Sequence, residues 1–255
     1  MEKWETAETK QVKAGQKGLT GNGLKWIAII TMLIDHMAVA LIQNGIFQSN
    51  TIILTQEQWQ RCYQLYWIMR YVGRIGFPIF CFLLVEGFYY THNIKRYLFR
   101  LGIFALISEV PFDFALFQNV FYLSYQNVYF TLLIGVVTLC GIRYFGKEDI
   151  RSRILRVVCL LGGLGAAYIL RTDYNVYGVL LIVVLYLFRE KAIWRDFAAG
   201  TVLLLSSLTE IFGLLAFIPM HFYNKQRGRQ MKYFFYIFYP AHLLILGLIS
   251  KFLTQ

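Results

Sequence analysis

From residue 24 onward the chain returns repeatedly to apolar runs of about the length that crosses a bilayer, near 20 residues each. Nine can be counted, at 24–45, 64–90, 94–117, 127–145, 154–170, 174–189, 193–208, 210–223 and 233–252, the sixth to eighth being short. Composition agrees: 58% of residues are hydrophobic and 15% charged, against about 45–50% and about 25% in soluble domains. A disordered chain, a collagen-like chain and a small disulfide scaffold are excluded by the same figures. The fold class expected is all-α, a polytopic transmembrane bundle of about nine spans.

The net charge of +11 is where function could be misread. Twenty of the 25 Lys and Arg fall on five segments that the span count puts on one side: Lys3, Lys10, Lys13, Lys17 and Lys25; Lys95, Arg96 and Arg100; Arg143, Lys147, Arg151, Arg153 and Arg156; Arg189, Lys191 and Arg195; Lys225, Arg227, Arg229 and Lys232. Basic residues collect in cytosolic loops, so the N-terminus is expected in the cytosol and no nucleic-acid partner is implied. Residues 1–23 are polar and lack the apolar core of a signal peptide, which reads as an unprocessed cytosolic tail ahead of one transmembrane domain, 24–255. Cys62, Cys81, Cys140 and Cys159 have neither CxxC spacing nor neighbouring His, so no disulfide and no metal site is expected.

Ionisable residues inside spans are costly and mark functional sites by default. Lys25 and His36 lie eleven residues apart, which puts them on one helix face about 16 Å apart along the axis. Asp35 adjoins His36 but points about 100° away, so adjacency alone makes no dyad, and a partner for His36 is expected on another helix. The second span carries Arg74 about 15 Å from its outer start, close to the level of His36, and Glu86 near the cytosolic end. The third carries Glu109 past the midplane and Asp113 near the outer surface, with Pro111 between them expected to kink the helix. The last span adds Tyr239, Pro240 and His242, the histidine about 13 Å from the inner end. Arg70, Asp113, Asn127, Thr131, Arg171 and Asp173 collect nearer the outer face, enough to line an acceptor entrance.

The segments LKWIAIITMLIDHMA, GRIGFPIFCFLLVEGF, YLFRLGIFALISEVPFD, NVYFTLLIG, DYNVYGVLLI and FYPAHLLIL together resemble the TraX family, conjugal-transfer proteins linked to N-terminal acetylation of pilin. More distantly, Lys25 and His36 fit the basic-x10-His spacing of acyltransferase-3-type membrane enzymes. The resemblance implies a membrane acetyltransferase that moves acetyl groups from cytosolic acetyl-CoA to an acceptor peptide or cell-surface glycan. It implies Lys25 on the CoA phosphates and His36 as catalytic base. Chemistry fits that division. CoA is polyanionic and Lys25, Arg96 and Arg100 form a cationic rim, with Glu86 and Tyr239 as further donor-binding candidates. His36 can take a proton near neutral pH for direct attack on the thioester, or itself carry the acetyl group as an acetyl-His intermediate, with Asp35 or Glu109 to orient it, His242 at the same depth and Arg74 to stabilise an oxyanion. Asp113, Asn127, Thr131 and Asp173 are the candidates on the acceptor side. Acyl-CoA, membrane lipids, the acceptor and a second copy of the chain are the partners this implies.

Two rivals use the same residues differently. A transporter or flippase would use the midplane charges as a proton relay, but no inverted repeat is visible. A membrane scaffold for a conjugation machine would use them as interhelical glue, a role more often given to Ser, Thr, Asn and Gln.

Overall fold

The computed structural model describes residues 17–228 and 231–255. Lys3, Lys10, Lys13, Arg229, the side chain of Lys232 and most of the polar tail lie outside the described residues. The first helix, α1 (Gly21–Met37), begins three residues ahead of the expected span because Thr20 caps it, its Oγ1 accepting from the Gly23 amide at 3.2 Å. Beyond Met37 the helix widens into a π-helical stretch, Ala38–Ile46. Next come α2 (Gln56–Gly73), α3 (Gly76–Tyr90), α4 (Ile94–Phe117), α5 (Val128–Tyr144), α6 (Ile150–Ile169), α7 (Asn175–Leu187) and α8 (Ala192–Ser206). A 3-10 segment (Leu208–Ala216), the short α9 (Phe217–His221) and α10 (Lys232–Thr254) complete the chain.

Taken as α1 with its π extension, α2–α3, α4 to α8, the 3-10 segment with α9, and α10, these elements form nine legs among the described residues. Four meet the length and composition of a membrane crossing: Gly21–Ile46, Gln56–Tyr90, Ile150–Ile169 and Tyr233–Thr254. The others are shorter or, in α4, carry Arg100, Glu109 and Asp113. Contacts sort the loops into two ends. At the basic end, residues 19–22 run alongside 222–227, with the Leu19 amide donating to the Phe222 carbonyl and the Gly21 amide to the Gln226 carbonyl. There too Arg227 donates to the Tyr90 carbonyl and Arg189 pairs with Glu86. At the opposite end Asn44 donates to the carbonyls of Ala115 and Leu116, Ser49 to that of Leu253, and Gln118 to Ser250.

Two departures from the expected spans matter for the site. The second leg starts at Gln56, eight residues ahead of the expected span at 64, because Thr55 and Gln58 form a reciprocal capping box. That same leg breaks between Gly73 and Gly76, leaving Arg74 at a helix end instead of mid-helix. Pro111 sits inside α4, which runs through it to Phe117. The core is aliphatic and aromatic, centred on α3, α5 and α7, with Ile79, Leu139, Leu181 and Ile182 fully buried.

Candidate functional site

His36 is the last residue but one of α1, two residues before the π-helical stretch, a distortion found frequently at functional sites. Across from it, α10 presents His242. Nδ1 of His36 and Nε2 of His242 are 2.7 Å apart, the rings stacked at 12° with centroids 5.0 Å apart. Nδ1 of His242 lies 2.6 Å from the Phe238 carbonyl, one turn back on α10. A carbonyl only accepts, so that nitrogen carries hydrogen. In a neutral pair Nε2 of His242 is then the acceptor, Nδ1 of His36 donates to it, and Nε2 of His36 keeps its lone pair.

His36 lines a cavity of about 490 Å³, shared with Asp35, Arg70, Arg74, Gln43, Tyr125, Arg171, Asp173 and Tyr239. Asp35 does not bond His36. Its carboxylate takes Arg70 Nη1 at 2.6 Å on one oxygen and Arg74 Nη2 at 2.8 Å on the other. Arg74 in turn gives Nη1 to Glu210 at 2.9 Å and Nε to the Arg70 carbonyl at 3.3 Å. The result is a ladder, Glu210–Arg74–Asp35–Arg70, across the wall beside His36. Close helix approach sets it: a β-carbon built on Gly73 would fall on the Asp35 side chain. In a low-dielectric interior such pairs hold only when each charge is matched, as here by alternating sign.

The far wall is a short turn between α6 and α7. Arg171, Tyr174 and Asn175 all have left-handed backbones, at φ 51°, 60° and 45°, and residues held so tend to cluster at functional sites. Tyr174 stacks flat on Phe77 of α3, centroids 3.5 Å apart. Asp173 accepts from the Tyr125 hydroxyl at 3.0 Å and from the Tyr174 amide at 3.1 Å. Burial pushes its carboxyl up to about 6.

The other residues singled out in the sequence divide into three groups. Glu109, Asp113, Asn127 and Thr131 pack behind the cavity without lining it. Asn127 hydrogen-bonds the Glu109 carboxylate and the Ala105 carbonyl, Asp113 accepts from the Tyr122 amide at 2.7 Å, and Thr131 donates to the Asp173 carbonyl. Asp113, expected near the outer surface, is buried. Lys25 and Arg100 flank the start of α10, the first with Nζ 5.2 Å from the Phe235 ring centroid and the second bonded to Tyr236, while Arg96 is exposed. Glu86 lies apart from them, held by Arg189 Nε at 2.6 Å. Tyr239, grouped with the donor from sequence, instead edges both histidine rings, centroids 5.9 and 5.8 Å away.

Sequence reasoning missed Glu210 and placed Arg70 only at the entrance. Both left a signal: Arg70 precedes Arg74 by one helical turn, and Glu210 is the single charge in the apolar run LTEIFGLLAFIPM.

Comparison with known proteins bears on the whole of this arrangement. The probable fimbrial assembly protein FimC, serogroup H1, of Dichelobacter nodosus is 29% identical over 259 residues, covering 90% of this chain and 95% of its own. No solved structure matches. The family profile described as TraX protein matches residues 20–250, from the cap of α1 to the last turn of α10, and takes in every residue around the cavity; the chain belongs to the TraX family.

Proposed function

We propose that the protein is a membrane acetyltransferase that moves an acetyl group from cytosolic acetyl-CoA to an amine, the N-terminus of a pilin-like peptide, or to a cell-surface acceptor. The observation that carries this reading is the relay from His36 through His242 to the Phe238 carbonyl, because it leaves the Nε2 lone pair unused on a histidine that lines the cavity. The TraX membership, and a relative named as a probable fimbrial assembly protein, support a role in pilus or fimbrial assembly.

In this reading the basic end faces the cytosol of a bacterial inner membrane. Phe235, Tyr239 and His242 lie at i, i+4 and i+7 on one face of α10, which leads from Lys25 to His36. Lys25 and Arg100 receive the phosphates of the donor, and its thioester arm follows that seam to the cavity. The acceptor comes from the opposite end, past Asp173, Tyr125 and Arg171.

His36 Nε2 takes the proton as the acceptor nitrogen or oxygen attacks the thioester carbon. The charge on His36 is shared along the Nδ1–H bond to His242. Arg70 and Arg74 face the oxyanion, and Asp35 and Glu210 keep the two guanidiniums apart and oriented. Collapse breaks the carbon–sulfur bond, and the departing thiolate takes the proton from His36. Atoms balance without a metal or redox partner.

The test is purified protein with labelled acetyl-CoA and an acceptor peptide. Thiol release and labelled peptide are expected from the parent chain. His36→Ala should abolish both while leaving CoA binding, read by thermal stabilisation, nearly intact. Full turnover in that variant would overturn the assignment.

A further inference from the structure

A second cleft, of about 210 Å³, opens at the basic end and shares no residue with the His36 cavity. Phe82 and Glu86 of α3, Arg189 and Glu190, Arg195 of α8, His221 of α9, and Tyr223 and Lys225 of the following loop form its walls. Two guanidiniums make its floor, and the Arg189 and Arg195 side chains are only 9% and 8% exposed.

What holds those two arginines differs on each side. Glu86, itself 8% exposed, grips Arg189 through Nε at 2.6 Å and Nη2 at 3.2 Å, which fixes the plane of the group. The remaining partners are weaker. Nη1 of Arg189 meets Glu190, which is 67% exposed, and Arg195 is met through Nε and Nη2 by Asp196, its own chain neighbour and 25% exposed. An ion pair with an exposed carboxylate such as Glu190 is screened by water and weak, so exchanging it for another anion costs little. A buried guanidinium, by contrast, presents a rigid fork matched to a phosphate. The ring of Phe82 under Arg195, 5.2 Å from its guanidinium carbon, keeps the fork in place. Lys225 completes the rim from a left-handed backbone, φ 61°, an unusual conformation for lysine that the neighbouring strand-like contact of 19–22 with 222–227 supports.

We propose that this cleft binds a phosphate group, with Arg189, Arg195 and Lys225 as its donors and with Glu190 and Asp196 as the carboxylates it displaces. The phosphate belongs either to a soluble nucleotide or to the headgroup of an anionic lipid, since the cleft lies at the end of the bundle where basic side chains collect. The site is defined by this chemistry and does not depend on acetyl transfer at His36.

Full-length protein in neutral detergent, titrated with inorganic phosphate and with adenosine 3′,5′-bisphosphate, tests the soluble source by thermal stabilisation and calorimetry. Nanodiscs of phosphatidylglycerol against phosphatidylcholine, with native mass spectrometry of retained lipid, test the other. Saturable, salt-sensitive binding of either class is expected. Arg195→Gln should weaken it about tenfold or more, the loss of a hydrogen bond to a charged group. Lys225→Gln, at an exposed position, should weaken it as well and keeps the test open if the first variant folds poorly. Absence of saturable binding by all the probes, or binding unchanged in Lys225→Gln and Arg195→Gln, overturns the proposal.

Discussion

Nδ1 of His36 stands 2.7 Å from Nε2 of His242, and the two residues are brought together from opposite ends of the sequence by α1 and α10. The contact has a direction. Because His242 gives its other nitrogen to the Phe238 carbonyl, the pair forms a one-way chain of donors whose last lone pair is Nε2 of His36. The carboxylate beside it in sequence, Asp35, is committed to two arginines instead.

The two histidines should therefore differ when removed. His36→Ala takes away the proton acceptor itself and should lower acetyl transfer by about 10²–10⁴-fold. His242→Phe keeps the ring stack with Phe238 but removes the acceptor for Nδ1–H. It should lower transfer by about tenfold and shift the pH–rate profile, a change that lost packing would not produce. Equal losses in both variants, with no shift in profile, would count against the directional relay.

Gly73 sets how closely α2 approaches α1. A β-carbon there lands against Cβ of Asp35, an atom fixed to the α1 backbone, so Gly73→Ala should destabilise by about 1–3 kcal/mol and disorder the Arg70–Asp35–Arg74 group. Gly165 of α6 is the matched control, because a β-carbon there meets nothing within 4 Å. Gly165→Ala should leave stability unchanged or raise it by up to about 1 kcal/mol. Thermal unfolding of both variants in one detergent checks the contrast, and a loss of activity confined to Gly73→Ala is expected.

How much of this was legible beforehand follows from what a one-dimensional pattern contains. Helix periodicity places Lys25, His36, Arg74 and His242 by face and depth, and the structure puts three of them around one cavity or its relay. The pairing among them is not periodic information. Glu109 and Arg74 both read as ionisable groups inside spans, yet one turns to Asn127 at the start of α5 and the other to the cavity, because α2 ends at Arg74 while α4 continues as helix past Glu109 and Pro111. Asn127 and Thr131 read as acceptor-side groups, but they satisfy buried carbonyls and a carboxylate, the ordinary demand of polar atoms away from water. The Thr55–Gln58 capping box is a local signal in the sequence, but it lies in polar chain ahead of the apolar run that sets the expected span at 64.

The ladder Glu210–Arg74–Asp35–Arg70 makes a prediction of sign. Arg74→Leu strands Glu210, whose side chain is 5% exposed, and should cost about 3–5 kcal/mol. Adding Glu210→Leu removes the stranded charge, so the double variant should be more stable than Arg74→Leu alone. Denaturant unfolding of the three chains measures it. Additive losses would show that the two side chains do not act as a pair.

Asp173 supplies a pH dependence outside the helices. Burial raises its carboxyl to about 6 in the folded chain, against about 3.9 when unfolded, with the Tyr125 hydroxyl bond opposing the rise. Between those values the folded protein holds more protons than the unfolded one, so this group stabilises the fold at acid pH and loses that contribution as pH rises through about 4 to 6. Above about 6 the carboxylate is ionised and costs stability, its negative charge then facing the cavity together with Arg171. Asp173→Asn, which keeps the shape and stays neutral, should flatten the dependence across that interval and raise stability at pH 7 relative to the parent. Thermal midpoints of the two chains at half-unit steps from pH 4 to 8 decide it: parallel curves would mean that Asp173 titrates like an exposed carboxylate, and that the Tyr125–Asp173 contact is open to water.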